Sequence, residues 1–200
     1  MLLCFGDSNC WGWHPAGGRH PAADRWPEQL AKSLGHSLRN LGQPGRTLVC
    51  EDPSLGLVSD RASWQAALAE QPAYLVLALG INDLAAGGHP AEIGQALEAY
   101  LGDWHHAGRP GRLVLLAPAP IPALQGAWRS LFSASHTLAP ALLPLWQAIA
   151  ERWQLTCVDP APLLGDSPDG LHWTAQDHAA IAQALSQVFG ASVGPSASAG

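Results

Sequence analysis

The chain has 200 residues, 13% of them charged and 48% hydrophobic, with a formal net charge of −6. A typical soluble domain carries about 25% charged residues, so this surface is poor in charge, and its apolar content excludes a disordered chain. An acidic balance with a single lysine, Lys32, excludes the basic face that a nucleic-acid partner requires.

Leu2-Leu3-Cys4-Phe5 follows Met1 directly. This run is too short for a secretory signal core and has no basic segment before it. No apolar stretch approaches the roughly 20 residues of a membrane span. Cys4, Cys10, Cys50 and Cys157 show neither a C-x-x-C pair nor zinc-ligand spacing, and read as free thiols. A cytoplasmic protein with no membrane partner is the expectation. One domain over residues 1–189 is expected at this length. Residues 190–200, GASVGPSASAG, read as a frayed, disordered tail.

In chain order, strands are predicted at Leu2–Phe5, Ser37–Asn40, Tyr74–Leu79, Leu113–Leu116 and Leu155–Val158. Helices are predicted near 25–34, 57–70, 91–106, 138–152 and 174–188. Leu75-Val76-Leu77-Ala78-Leu79 and Leu113-Val114-Leu115-Leu116 are apolar at every position, as strands covered on both faces of a parallel sheet are. The last helix carries a stripe of Ala179, Ala180, Ile181, Ala182, Leu185 and Val188, with Thr174 as its N-cap. Strand and helix in alternation predict a three-layer α/β/α domain. Ala117-Pro118-Ala119-Pro120-Ile121-Pro122 can be neither helix nor central strand. It is a loop at the end of the sheet where α/β proteins bind ligands.

The first strand ends at Gly6-Asp7-Ser8-Asn9, where a sharp turn can present Ser8 above the sheet. A serine hydroxyl needs a base to become a nucleophile. Asp169-Gly170-Leu171-His172 offers one, with the acid three residues before the imidazole. Asp169 would fix the tautomer of His172, and His172 would take the Ser8 proton and return it to the leaving group. Acyl transfer also needs donors for the oxyanion. Gly45, in Asn40-Leu41-Gly42-Gln43-Pro44-Gly45, can offer a backbone N–H. Asn82, in Gly80-Ile81-Asn82-Asp83, carries an amide donor. The Ser8 N–H makes a third.

These four blocks, GDSN at 6–9, NLGQPG at 40–45, GIND at 80–83 and DGLH at 169–172, occur in the order of the SGNH (GDSL-type) hydrolases, which the chain resembles over residues 1 to about 189. The resemblance puts the nucleophile on Ser8, the oxyanion glycine on Gly45, the asparagine on Asn82, and the acid and base on Asp169 and His172. It is closest to the cytoplasmic arylesterase and acyltransferase (perhydrolase-like) group, through LCFGDSNCWGW at 3–13, the Pro-rich loop leading to Trp128 and Phe132, and DGLHWT at 169–174. It implies a flavodoxin-like fold with a central parallel five-stranded sheet. It also implies esterase activity on a small-molecule ester, with no metal and no organic cofactor. Carbohydrate O-acetyl esterase, lysophospholipase and thioesterase activities belong to the same family and stay open. The chain departs from the usual pattern in having Asn9-Cys10 where Leu-Thr follows the GDS. The segment Glu51–Ala73 is short beside that of the oligomeric perhydrolase-like members, so their assembly is not carried over. The low charge fits a small apolar substrate and the subunit interface of a homo-oligomer equally.

Among the nine tryptophans, Trp11, Trp13, Trp128 and Trp173 flank the motifs and are expected to wall the binding cleft, with Ile81 and Phe132 completing an apolar acyl site. Trp26, Trp64, Trp104, Trp146 and Trp153 are assigned to packing. Asp7, Asp83 and Arg46 are read as structural. Gly165-Asp166-Ser167 repeats the GDS in a Pro-containing loop with no strand immediately before it, and is read as loop only. His105-His106 point to different sides of a helix and read as solvated. His178, six residues past His172, is expected to be exposed. Cys10 would need a base of its own to act as nucleophile.

Overall fold

The computed structural model describes residues 1–121, 124–132 and 137–191. The elements, in chain order, are β1 (Leu2–Gly6), α1 (Ser8–Trp11), α2 (Trp26–Leu34), β2 (Leu38–Gly42), β3 (Arg46–Thr47), β4 (Val58–Ser59), α3 (Arg61–Leu68), β5 (Tyr74–Ala78), α4 (Ile81–Ala85), α5 (Pro90–His106), β6 (Arg112–Leu116), α6 (Gly126–Leu131), α7 (Leu142–Trp153), β7 (Thr156–Val158) and α8 (Ala175–Gly190). Among the described residues the main sheet has five strands in the order β2-β1-β5-β6-β7, every neighbouring pair parallel.

The apolar runs explain the layering. Successive side chains on a strand face opposite ways, so a strand apolar at every position feeds two cores. Leu3, Phe5, Leu75, Leu77, Leu113 and Leu115 join Trp64, Leu97, Tyr100, Trp104, Trp146 and Ile149 of α3, α5 and α7. Leu2, Cys4, Val76, Val114 and Leu116 join Trp26, Leu30, Ile181, Leu185 and Phe189 of α2 and α8. The result is the expected three-layer α/β/α fold around a parallel sheet. Strand order reverses between β1 and β5. Open α/β sheets bind ligands at the carboxyl ends of the strands beside such a switch point, and Ser8 and Asn82 follow those two strands.

The boundaries differ from expectation where an element is too short to carry a period. The small parallel pair β3–β4 has two residues per strand and no alternation to read, and it delays α3 to Arg61. A 3₁₀ turn at Ala139–Ala141 precedes α7, whose start moves to Leu142. Helix α6 follows the Pro-rich loop, in a stretch to which the sequence assigned no element. Helix α8 begins after Thr174, which caps it reciprocally with Asp177, and runs through Gly190. Residues 192–200 of the expected tail lie outside the described residues. Among the described residues no helix is long and apolar enough to cross a membrane.

Candidate active site

Strand β1 delivers Ser8 through a tight turn. Asp7 caps α1 by accepting the Asn9 N–H at 2.9 Å. Only glycine fits at position 6, because a Cβ there would lie 2.5 Å from Cys10 Cβ and 2.8 Å from the Ala78 carbonyl. Burial pushes the Asp7 carboxyl up to about 6, against hydrogen bonds from the Asn9 and Cys10 amides. Burial also pushes the Cys10 thiol well above its ordinary value, so this neighbour of Ser8 stays protonated.

The loop after β7 brings the acid and the base. The Ser8 hydroxyl donates to His172 Nε2 at 3.1 Å, and His172 Nδ1–H donates to Asp169 Oδ2 at 2.7 Å. The other Asp169 oxygen accepts the amides of Leu171 at 3.0 Å and His172 at 2.9 Å. Burial alone would raise the Asp169 carboxyl, but the His172 amide and ring and the Leu171 amide outweigh it and hold the group below its ordinary value. Burial lowers His172, against the pull of Asp169. The imidazole is therefore neutral at pH 7, as a base must be before it accepts a proton. Trp13 stacks on it with ring centres 5.4 Å apart, and Trp128 meets it edge-on at 5.1 Å.

Two further elements reach Ser8. The Asn82 side-chain amide donates to the Arg46 carbonyl at 3.0 Å, which orients it and ties α4 to the loop carrying Gly45. Asp83 ties the same loop, accepting the amides of Leu48, Val49 and Cys50 at 2.8, 2.9 and 3.0 Å. Arg46 lies over the Phe5 ring, donates to the carbonyls of Gly6 and Leu41, and pairs with Asp60. It braces this loop from inside, a structural part. Gly45 has φ +75°, and a Cβ on it would lie 2.2 Å from the Gly56 carbonyl.

The profile of the GDSL-like lipase/acylhydrolase family matches residues 4–180. The chain belongs to that family. This hydrolase is similar in structure to the inhibitor-bound aryl esterase of M. smegmatis, with TM-score 0.86 at 21% identity over 95% of this chain and 98% of that one. It is equally similar to Est24, a carbohydrate acetylesterase from Sinorhizobium meliloti, with TM-score 0.87 at 23% identity and the same coverage. No curated protein sequence matches it.

The hydrolase's Ser8, Gly45, Asn82 and His172 line one cleft of about 310 Å³, within the range of small-ligand sites. Trp13, Trp128 and Phe132 line it, joined by Leu55, Leu57 and Leu131. Leu55 is 51% exposed at this wall, and nothing in its sequence context marked it. Trp11, Ile81 and Trp173 do not line this cleft. Trp11 is covered by the Arg19 guanidinium and packs on Trp13. Ile81 is buried in the core of α3, α5 and α7. Trp173 turns away from the serine into the core of α2 and α8, its ring 5.8 Å from that of His178.

His178 corrects a second expectation. It is 0% exposed, receives the Trp26 amide on Nδ1 at 3.3 Å, and burial with His20 nearby lowers it to about 3. His105 and His106 are exposed. Ser167, of the second GDS, has a structural part. Its hydroxyl sits between Asp169 Oδ1 at 3.1 Å and the His172 carbonyl. Among the described residues no group of three or more His, Cys, Asp or Glu is placed to hold a metal.

Proposed function

We propose that this ester hydrolase cleaves small acyl esters of aryl or alkyl alcohols through an acyl-serine intermediate. The observation that carries the reading is the unbroken Ser8–His172–Asp169 hydrogen-bond relay opening into an apolar cleft of about 310 Å³. Ser8 Oγ attacks the ester carbonyl as its proton passes to His172 Nε2. Asp169 holds the other ring nitrogen and stabilises the imidazolium. The negative charge forms on the former carbonyl oxygen, where the amides of Ser8 and Gly45 and the Asn82 side chain supply donors. The tetrahedral adduct collapses, and the departing alkoxide takes the proton from His172. Water then attacks the acyl-serine with His172 as base again, which releases the acid and restores Ser8.

An aryl or alkyl ester is favoured over a sugar ester by the lining. Among the described residues, Trp13, Pro44, Leu55, Leu57, Trp128, Leu131, Phe132 and Leu171 offer sugar hydroxyls only the weak indole N–H donors, and the polar side chains of the lining are Ser8, Asn82 and His172. The same apolar wall would let an alcohol compete with water for the acyl-serine, giving acyltransferase activity as a side reaction. Ser8→Ala should abolish turnover of p-nitrophenyl acetate and labelling by a fluorophosphonate, with the melting temperature little changed. Retained turnover in that variant would overturn the assignment. With the wild type, faster deacetylation of acetylated pyranosides than of aryl acetates would move the substrate to the sugar class.

A further inference from the structure

Ser8 and His172 come from opposite ends of the chain. Their contact is only as constant as the junction between the turn at 6–11 and the loop at 169–173. The backbone polar groups of the three residues centred on His172 are all hydrogen-bonded. Asp169 accepts the amides of Leu171 and His172, Ser167 meets the His172 carbonyl, and His20 Nε2–H donates to the Trp173 carbonyl at 3.0 Å. The two remaining groups are held by one side chain. Asn9 Oδ1 accepts the Trp173 amide at 3.1 Å, and Asn9 Nδ2 donates to the Leu171 carbonyl at 3.4 Å.

Asn9 thus grips the residues on both sides of His172, and it does so from the position next to Ser8. Its own frame is fixed. Its amide is donated to Asp7 at 2.9 Å, its carbonyl accepts the Trp26 indole N–H at 3.1 Å, and it is buried. The leucine that the family usually has at this position packs without direction, whereas Asn9 bonds two defined backbone atoms of the loop. A side-chain amide has both a donor and an acceptor at fixed separation, so one residue can set the loop's height and its register together.

We infer that Asn9 is a positioning residue, which locks the base loop onto the nucleophile turn so that His172 Nε2 stays within proton-transfer reach of Ser8 Oγ. The inference rests on the catalytic reading of Ser8, His172 and Asp169 given above. Asn9 does not line the cleft, and its side chain bonds the backbone of Leu171 and Trp173 rather than a reacting atom. Its loss leaves the cleft walls in place and loosens only the base, so it lowers kcat and kcat/KM together while KM holds. Misplacement by about 1 Å costs on the order of 100-fold in rate.

The test uses Asn9→Leu, which keeps the length and removes both polar atoms, and Asn9→Ala, which adds no atoms and keeps the test open should the first variant not fold. Each is measured on p-nitrophenyl acetate beside Ser8→Ala. Both Asn9 variants should lose about 10- to 100-fold in kcat with KM within about twofold. The rate of fluorophosphonate labelling should fall in parallel. The downfield Nδ1 proton of His172 in the NMR spectrum, held by Asp169 in the wild type, should broaden in both. A folded Asn9 variant with wild-type kcat, a loss confined to KM, or an unchanged Nδ1 proton would overturn the role of Asn9 while leaving Ser8 as nucleophile. Turnover by Ser8→Ala would instead overturn the catalytic reading beneath it.

Discussion

Replacing Gly45 by alanine tests the oxyanion role at a point where the structure sets the size of the effect. The new Cβ would lie 2.2 Å from the Gly56 carbonyl oxygen, about 1 Å short of ordinary contact. The obstacle is backbone, so it cannot rotate aside, and the loop carrying the Gly45 amide must shift by a comparable amount. Removing one oxyanion donor costs about 10²–10³ in kcat, or roughly 2.7–4 kcal/mol. Alanine at φ +75° adds a backbone cost of roughly 1–2 kcal/mol, worth about 2–4 °C of melting temperature per kcal/mol at this chain length. The second effect can be measured separately. Gly35, the C-cap of α2 at φ +68°, has nothing within 4 Å of its own virtual Cβ, so Gly35→Ala carries the strain without the clash. With p-nitrophenyl acetate as substrate, Gly45→Ala should lose about 100-fold in kcat, whereas Gly35→Ala should lose only stability. If Gly45→Ala keeps kcat within about threefold of the wild type, its amide is not an oxyanion donor.

The pH dependence follows from two histidines lowered by burial. His172 must be neutral to accept the Ser8 proton, and burial lowers it. The acid limb of kcat/KM should therefore reach half-maximum below the ordinary 6.5, and a midpoint at or above 6.5 would contradict the burial argument. His178 acts on stability instead. Its folded value of about 3 lies below its unfolded one, so the unfolded chain takes the proton first. The stability it contributes is complete above about 6.5 and is lost as pH falls toward 3. His178→Asn can offer an oxygen to the Trp26 amide without ever titrating. Urea unfolding should find the wild type losing about 2 kcal/mol relative to this variant between pH 7 and pH 5, and parallel profiles would remove His178 as the cause.

The features legible in the sequence are those where one residue type answers one local demand. Strands β5 and β6 could be read because both faces are buried, which requires an apolar residue at every position. The four motif blocks could be read because each pairs a sharp turn with a polar group, three of them at strand ends and the fourth in the loop before α8. The cleft wall was harder, since an indole satisfies a core and a pocket equally well. Trp13 and Trp173 both flank a motif, and only tertiary packing separates them: Trp13 stacks on His172, and Trp173 joins the core of α2 and α8. Leu55 belongs to the wall through the packing of Gly56 against Gly45, a contact between segments that local sequence does not encode. His178 did carry a signal. It stands three and four residues before Ile181 and Ala182, which places it on the buried stripe of α8, and Thr174-x-x-Asp177 marks the capping box that fixes the helix phase. A polar residue on an apolar stripe is buried when the helix phase requires it, and the fold then supplies the partner, here the amide of Trp26.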